Sequence, residues 1–101
     1  MEEIFDELLL ICINEDIVCL RQACEILGVN YDKVTEYCLT DIEMSQRLVI
    51  FVNVCRHHAL EKFYKGEISK IETDDLVYEA DELIAIYSNL STLPVDENLG
   101  D

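Results

Sequence analysis

The sequence predicts an all-α fold: a helix-turn-helix core of about five helices, with a long fourth helix and a C-terminal amphipathic helix. Three observations predict it. Apolar residues recur at steps of three and four through most segments, which is the spacing of one helix face. Three glycines and one proline are all that interrupt 101 residues, half of them hydrophobic, a composition of folded chains rather than disordered ones. The third is the stretch LRQACEILGVNYDKVTEYCL, residues 20–39, which reads as two short helices meeting at Gly28.

In order, residues 2–13 form a first helix with Ile4, Phe5, Leu8, Leu9 and Cys12 as its apolar stripe, and Glu2 and Glu3 favour the positive end of its dipole. Asn14, Glu15 and Asp16 mark a break, and one of them caps a second helix that starts near Ile17 and ends at Leu27. Gly28 follows its last apolar residue, where a positive φ is cheap only for glycine. Asn30 stands at the N-cap of a third helix from Tyr31 to about Leu39, burying Val34, Tyr37 and Cys38. Helix, glycine turn and helix over about 17–39 is the sequence form of a helix-turn-helix, and also of an ordinary helical hairpin.

Thr40 and Asp41 read as the next N-cap. From Ile42 to Lys65 no glycine or proline occurs, so one long helix runs over about 42–65 and ends at Gly66. Within it LVIFVNVC, residues 48–55, is apolar on nearly every side, where a surface helix of a monomer shows one stripe. That points to neighbours on both sides, one of them a second subunit. Thr73 caps a last helix over about 74–90, where Leu76, Ala80, Leu83, Tyr87 and Leu90 recur as a short heptad seam. Such a seam packs either on its own core or on another copy. Residues 1–90 make one helical domain, and 91–101 form an acidic tail after Leu93-Pro94.

Net charge is −15, and its placement says more than its size. Residues 1–20 hold six acids and no base; residues 21–70 hold seven acids and all seven bases; residues 71–101 hold nine acids and no base. Duplex phosphates repel such a chain as a whole, because non-specific affinity comes from Lys and Arg neutralising them. DNA contact is therefore confined to the middle, or multiplied by assembly. No apolar run reaches the length of a membrane span. The acidic start MEEIFDELLLICI lacks the basic residues of a targeting segment. The five cysteines, odd in number and never CxxC, suit reduced core thiols in a cytosolic protein. Cys55, His57 and His58 match no common zinc spacing, so no metal and no cofactor is expected. No Ser/His/Asp or Cys/His arrangement, phosphate-cradling glycine loop or HExxH occurs, so no catalytic residues and no enzyme are expected.

Together, residues 19–60, CLRQACEILGVNYDKVTEYCLTDIEMSQRLVIFVNVCRHHAL, resemble the N-terminal domain of the small terminase subunit of tailed bacteriophages. That family has a helix-turn-helix of the form LR.ACE.LGV....V..WL, and LRQACEILGV matches it almost residue for residue. Val34 and Tyr37-Cys38-Leu39 stand at the family's valine and Trp-Leu pair. Asp41, Glu43, Met44 and Arg47 match the opening of its long helix, and Arg56 falls near its second arginine.

The resemblance implies recognition of viral DNA, assembly into an oligomeric ring and regulation of a large terminase subunit, in the cytoplasm of a bacterial host. Carried over by position, Arg21, Asn30, Tyr31, Lys33, Thr35 and Glu36 would face DNA. The long and last helices would serve oligomerisation, through Leu48, Val49, Phe51 and Val52 of the first and Leu76, Leu83, Tyr87 and Leu90 of the second. The second helix of the motif departs from the family in setting Asp32 and Glu36 against the single Lys33. A competing reading is an acidic protein-binding module, or a DNA mimic, that presents its carboxylates to a basic nucleic-acid-binding protein.

Overall fold

The structure, a computed structural model, describes residues 2–15 and 17–100, with side chains described for 3–11, 13 and 17–89. Among them the chain forms five helices and no strand: α1 (Glu2–Glu15), α2 (Leu20–Leu27), α3 (Tyr31–Thr40), α4 (Ile42–Tyr64) and α5 (Lys70–Gly100). None is long and apolar enough to cross a membrane among the described residues. The expected stripe position Cys12 and the candidate caps Asn14, Glu15 and Asp16 lie outside the described side chains.

The corner between α2 and α3 is set by backbone geometry. Gly28 adopts φ 72° and ψ 27°, its N–H donates to the Glu25 carbonyl, and the Val29 N–H donates to the Cys24 carbonyl. These two bonds satisfy carbonyls that a helix end otherwise leaves bare, in the pattern of a Schellman ending. Asn30 then accepts a hydrogen bond from the Lys33 N–H at 3.0 Å and starts α3. The same ending closes α4, where Gly66 at φ 76° bonds back to Phe63 and Glu67 to Lys62.

α4 is the centre. Its Leu48, Phe51, Val52, Cys55 and Ala59 are buried, and it packs against α5 along most of its length and against α1, α2 and α3 besides. Within residues 48–55, Leu48, Phe51, Val52 and Cys55 are thus covered by neighbours in the same chain, whereas Ile50 and Asn53 face solvent. α4 and α5 form an antiparallel hairpin, pinned by Arg56 Nε to Asp81 at 2.9 Å. α1 runs parallel to α4: Asp6 meets Arg47 at 3.3 Å and the Ile17 carbonyl meets His58 Nδ1 at 2.9 Å, each pair 41 residues apart. A carbonyl only accepts, so His58 Nδ1 carries the proton. The buried Ser45 hydroxyl donates to the Cys38 carbonyl and ties the start of α4 to α3.

Three boundaries differ from the sequence reading. α2 starts at Leu20 rather than near Ile17, because Ile17 is 1% exposed and fills the core as non-helical linker. α5 starts at Lys70, because Ser69 rather than Thr73 is the cap: its hydroxyl accepts the Glu72 N–H, and buried Thr73 bonds back to the Ser69 carbonyl. α5 also continues to Gly100, so the stretch read as a tail from Ser91 belongs to the helix. No glycine stands between Gly66 and Gly100 to end it earlier.

A Cβ at Gly28 would meet nothing within 4 Å, so Gly28→Ala isolates the strain of its left-handed backbone. The expected loss is about 1–2 kcal/mol, read as a fall in melting temperature of roughly 4–8 °C per kcal/mol; an unchanged melting curve would contradict the corner.

Burial pushes the Cys38 thiol from an ordinary value near 9 up to about 12, and the Asp41 carboxylate adds to the rise. The folded chain keeps a proton there that the unfolded chain releases. This thiol's contribution to stability is therefore complete below pH 9 and is lost as pH climbs towards 12. Urea midpoints should fall across that window, less steeply in Cys38→Ala than in the parent chain.

Candidate nucleic-acid interface

The six residues carried over to DNA contact do not form one free surface. On α3, Lys33 and Glu36 are exposed beside Asp32. Among the described residues Lys33 has no ion pair. Asn30 spends its side-chain oxygen on the cap. Thr35 donates its hydroxyl back to the Asp32 and Tyr31 carbonyls at 3.0 and 3.2 Å, and its own carbonyl accepts from the Tyr87 hydroxyl at 3.0 Å.

Tyr31 is half-buried against the core, and burial raises its pKa, with Arg21 opposing and Glu79 adding to the rise. Arg21 lies across its ring, the guanidinium carbon 4.0 Å from the centroid, and its Nε stands 3.9 Å from a Glu79 carboxylate oxygen. One of the two bases near the corner is thus engaged by α5.

Glu79, Asp81 and Glu82 stand within four residues of one another on α5, and the packing separates them. Asp81 turns to Arg56 on α4. Glu79 and Glu82 instead line a cleft of about 300 Å³ between α5 and the α2–α3 corner, with Arg21, Tyr31, Tyr78 and Leu83. The signal that could have found this cleft is Arg21 itself, a base on a short helix in a chain with triple as many acids as bases.

The residues assigned to subunit contacts need correction. Leu48 and Phe51 are 0% exposed, and Val52 and Tyr87 are buried as well, all within this chain's own core. Val49, Leu76 and Leu83 are half-buried, and Leu90 lies outside the described side chains. Leu48, Phe51, Val52 and Tyr87, buried in this chain's own core, have no surface left to offer a second copy. The large apolar side chains that do face solvent include Leu10, Ile13 and Ile50.

His57 lies 3.3 Å from Glu61 on its own helix, while His58 faces the Ile17 carbonyl. No three His, Cys, Asp or Glu side chains among the described residues converge on a metal-sized space. Cys19, Cys24 and Cys38 are free thiols. Comparison with protein-family models, curated proteins and solved structures finds no match to this chain.

Truncating a core side chain separates core from interface. Leu48→Ala should cost about 2–5 kcal/mol in urea unfolding and should do so equally at every protein concentration. A loss that grew on dilution would place Leu48 between subunits.

Proposed function

We propose that this chain is a small-terminase-like phage protein, which recognises DNA through the α2–α3 corner and serves as an oligomeric scaffold for genome packaging. The observation that carries the reading is that corner: two short helices, a left-handed glycine between them, and a capped second helix with Lys33 and Glu36 in solvent. A recognition helix meets base edges with its N-terminal residues. There Lys33 can serve a phosphate or a guanine, and Glu36 can accept from cytosine N4. The chain brings no catalytic residue to this role; a large terminase subunit, acting with it in the host cytoplasm, would hold the chemistry.

Assembly, in this reading, uses the apolar surface left outside the core. Leu10 and Ile13 of α1 and Ile50 of α4 are all more than half exposed. Exposed apolar side chains of this size suit contact between copies. Multiplying a weak corner around a ring is also how a chain with few bases can hold a polyanion.

A second reading, the acidic protein-binding module, is favoured by one specific observation. Arg21 is held by Tyr31 and Glu79, and Glu82 adds a further carboxylate beside the corner. That flank invites cations rather than phosphates.

Fluorescence anisotropy with duplex DNA across a salt series tests the first reading. Binding should strengthen steeply towards about 0.05 M salt, and Lys33→Ala should weaken it and reduce the salt slope by about 1. Absence of binding at low salt and high protein concentration would end the DNA half of the proposal.

A further inference from the structure

We infer that the cleft between α5 and the α2–α3 corner is a receptor for an arginine side chain of a basic protein partner. The inference rests on the second reading, to which it gives a partner class and a contact point, and it is independent of DNA binding. A guanidinium seeks flat π faces for its plane and carboxylate oxygens for its edge N–H groups. The cleft supplies both. Tyr31 and Tyr78 contribute the rings, Glu79 and Glu82 the carboxylates, and the space of about 300 Å³ is open to solvent.

The chain already runs this chemistry on itself. The Arg21 guanidinium lies over Tyr31 at 4.0 Å and beside Glu79 at 3.9 Å. That internal contact is loose. Its ion pair is at the outer limit of such a contact, and the Arg21 side chain is 61% exposed. One positive charge there faces two carboxylates. Glu82 has no ion pair among the described residues, and the Tyr78 ring is 71% exposed. The cleft is therefore provisioned for one more cation than the chain supplies.

Tyr78 also sets the chemistry next door. It is shared with a second cleft of about 380 Å³ between α4 and α5, where Leu60, Phe63, Tyr64 and Val77 give apolar walls. A segment that puts arginine in the first cleft can lay an apolar side chain in the second. Lysine fits less well, since a compact, strongly hydrated ammonium stacks poorly on a ring and lacks the flat bidentate fork of a guanidinium. The net charge of −15 steers a basic segment towards the surface, and the cleft decides where it settles.

The test is calorimetric titration of the full chain with hexa-arginine and hexa-lysine peptides at about 0.15 M ionic strength, where distant charges are screened. Hexa-arginine should bind roughly threefold or more tighter than hexa-lysine. Tyr78→Ala and Glu82→Gln, both at exposed positions, should each weaken it roughly threefold or more. Removing two remote charges with Glu3→Gln/Glu7→Gln should change it less than about twofold. Amide NMR shifts on adding hexa-arginine should centre on Arg21, Tyr31, Tyr78 and Glu82. Equal losses from the cleft and remote variants, with shifts spread along α1, would overturn the cleft and leave the acidic-module reading standing. No binding of either peptide would overturn both.

Discussion

One helix carries the stripe that the other four cover. α4 sets Leu48, Phe51, Val52 and Cys55 on the face it turns inward, with Gln46, Ile50, Asn53 and His57 left to solvent on the other, and the rest of the chain is arranged to keep the inner face from water. Burying a side chain of this size contributes about 1.5–3 kcal/mol, so several of them on one helix outweigh any single surface contact in the molecule. α1 brings Phe5 and Leu8 to that task, α2 brings Leu20 and Ala23, α3 brings Val34 and Cys38, and α5 brings Ala80 and Tyr87. The polar bonds that fix these helices are few and local to the joints: Ser45 to the Cys38 carbonyl, His58 to the Ile17 carbonyl, and Tyr87 to the Thr35 carbonyl. Among the described residues no buried side-chain oxygen or nitrogen lacks a partner.

Charge is distributed around this core in a way that shapes what the surface can bind. Arg47 is shared between Asp6 and Glu43, Arg56 is taken by Asp81, and Lys70 by Asp74. Exposed pairs of this kind contribute little to stability, typically under about 1 kcal/mol. Their larger effect is to consume bases in a chain that has only seven. What remains near the α2–α3 corner is Lys33 in solvent and Arg21 between Tyr31 and Glu79. The proposed footholds for a polyanion and for a cation are thus neighbouring parts of one surface.

The helices were legible in the sequence because they depend on local rules. Gly28 and Asn30 announce the corner, Asp41 the start of α4, and Gly66 its end, each through backbone chemistry that acts within a few residues. Ser69 and Thr73 are both capping types, and only the packing of Thr73 into the core decides between them. The role of residues 48–55 was not legible. Its apolar run suggests cover on both sides, whereas one side is covered by the same chain and Ile50 and Asn53 keep the other in water. The cleft was less legible still, since it joins Arg21 and Tyr31 to Tyr78 and Glu82 across more than 45 residues of chain.

The parallel pairing of α1 and α4 carries a topological consequence. Two helices that point the same way cannot be joined by a tight bend; the chain must travel back the length of the first before the second begins. α2 and α3 are that return stroke, and Gly28 is its elbow. The bend is thus demanded by the architecture whatever touches its outer side.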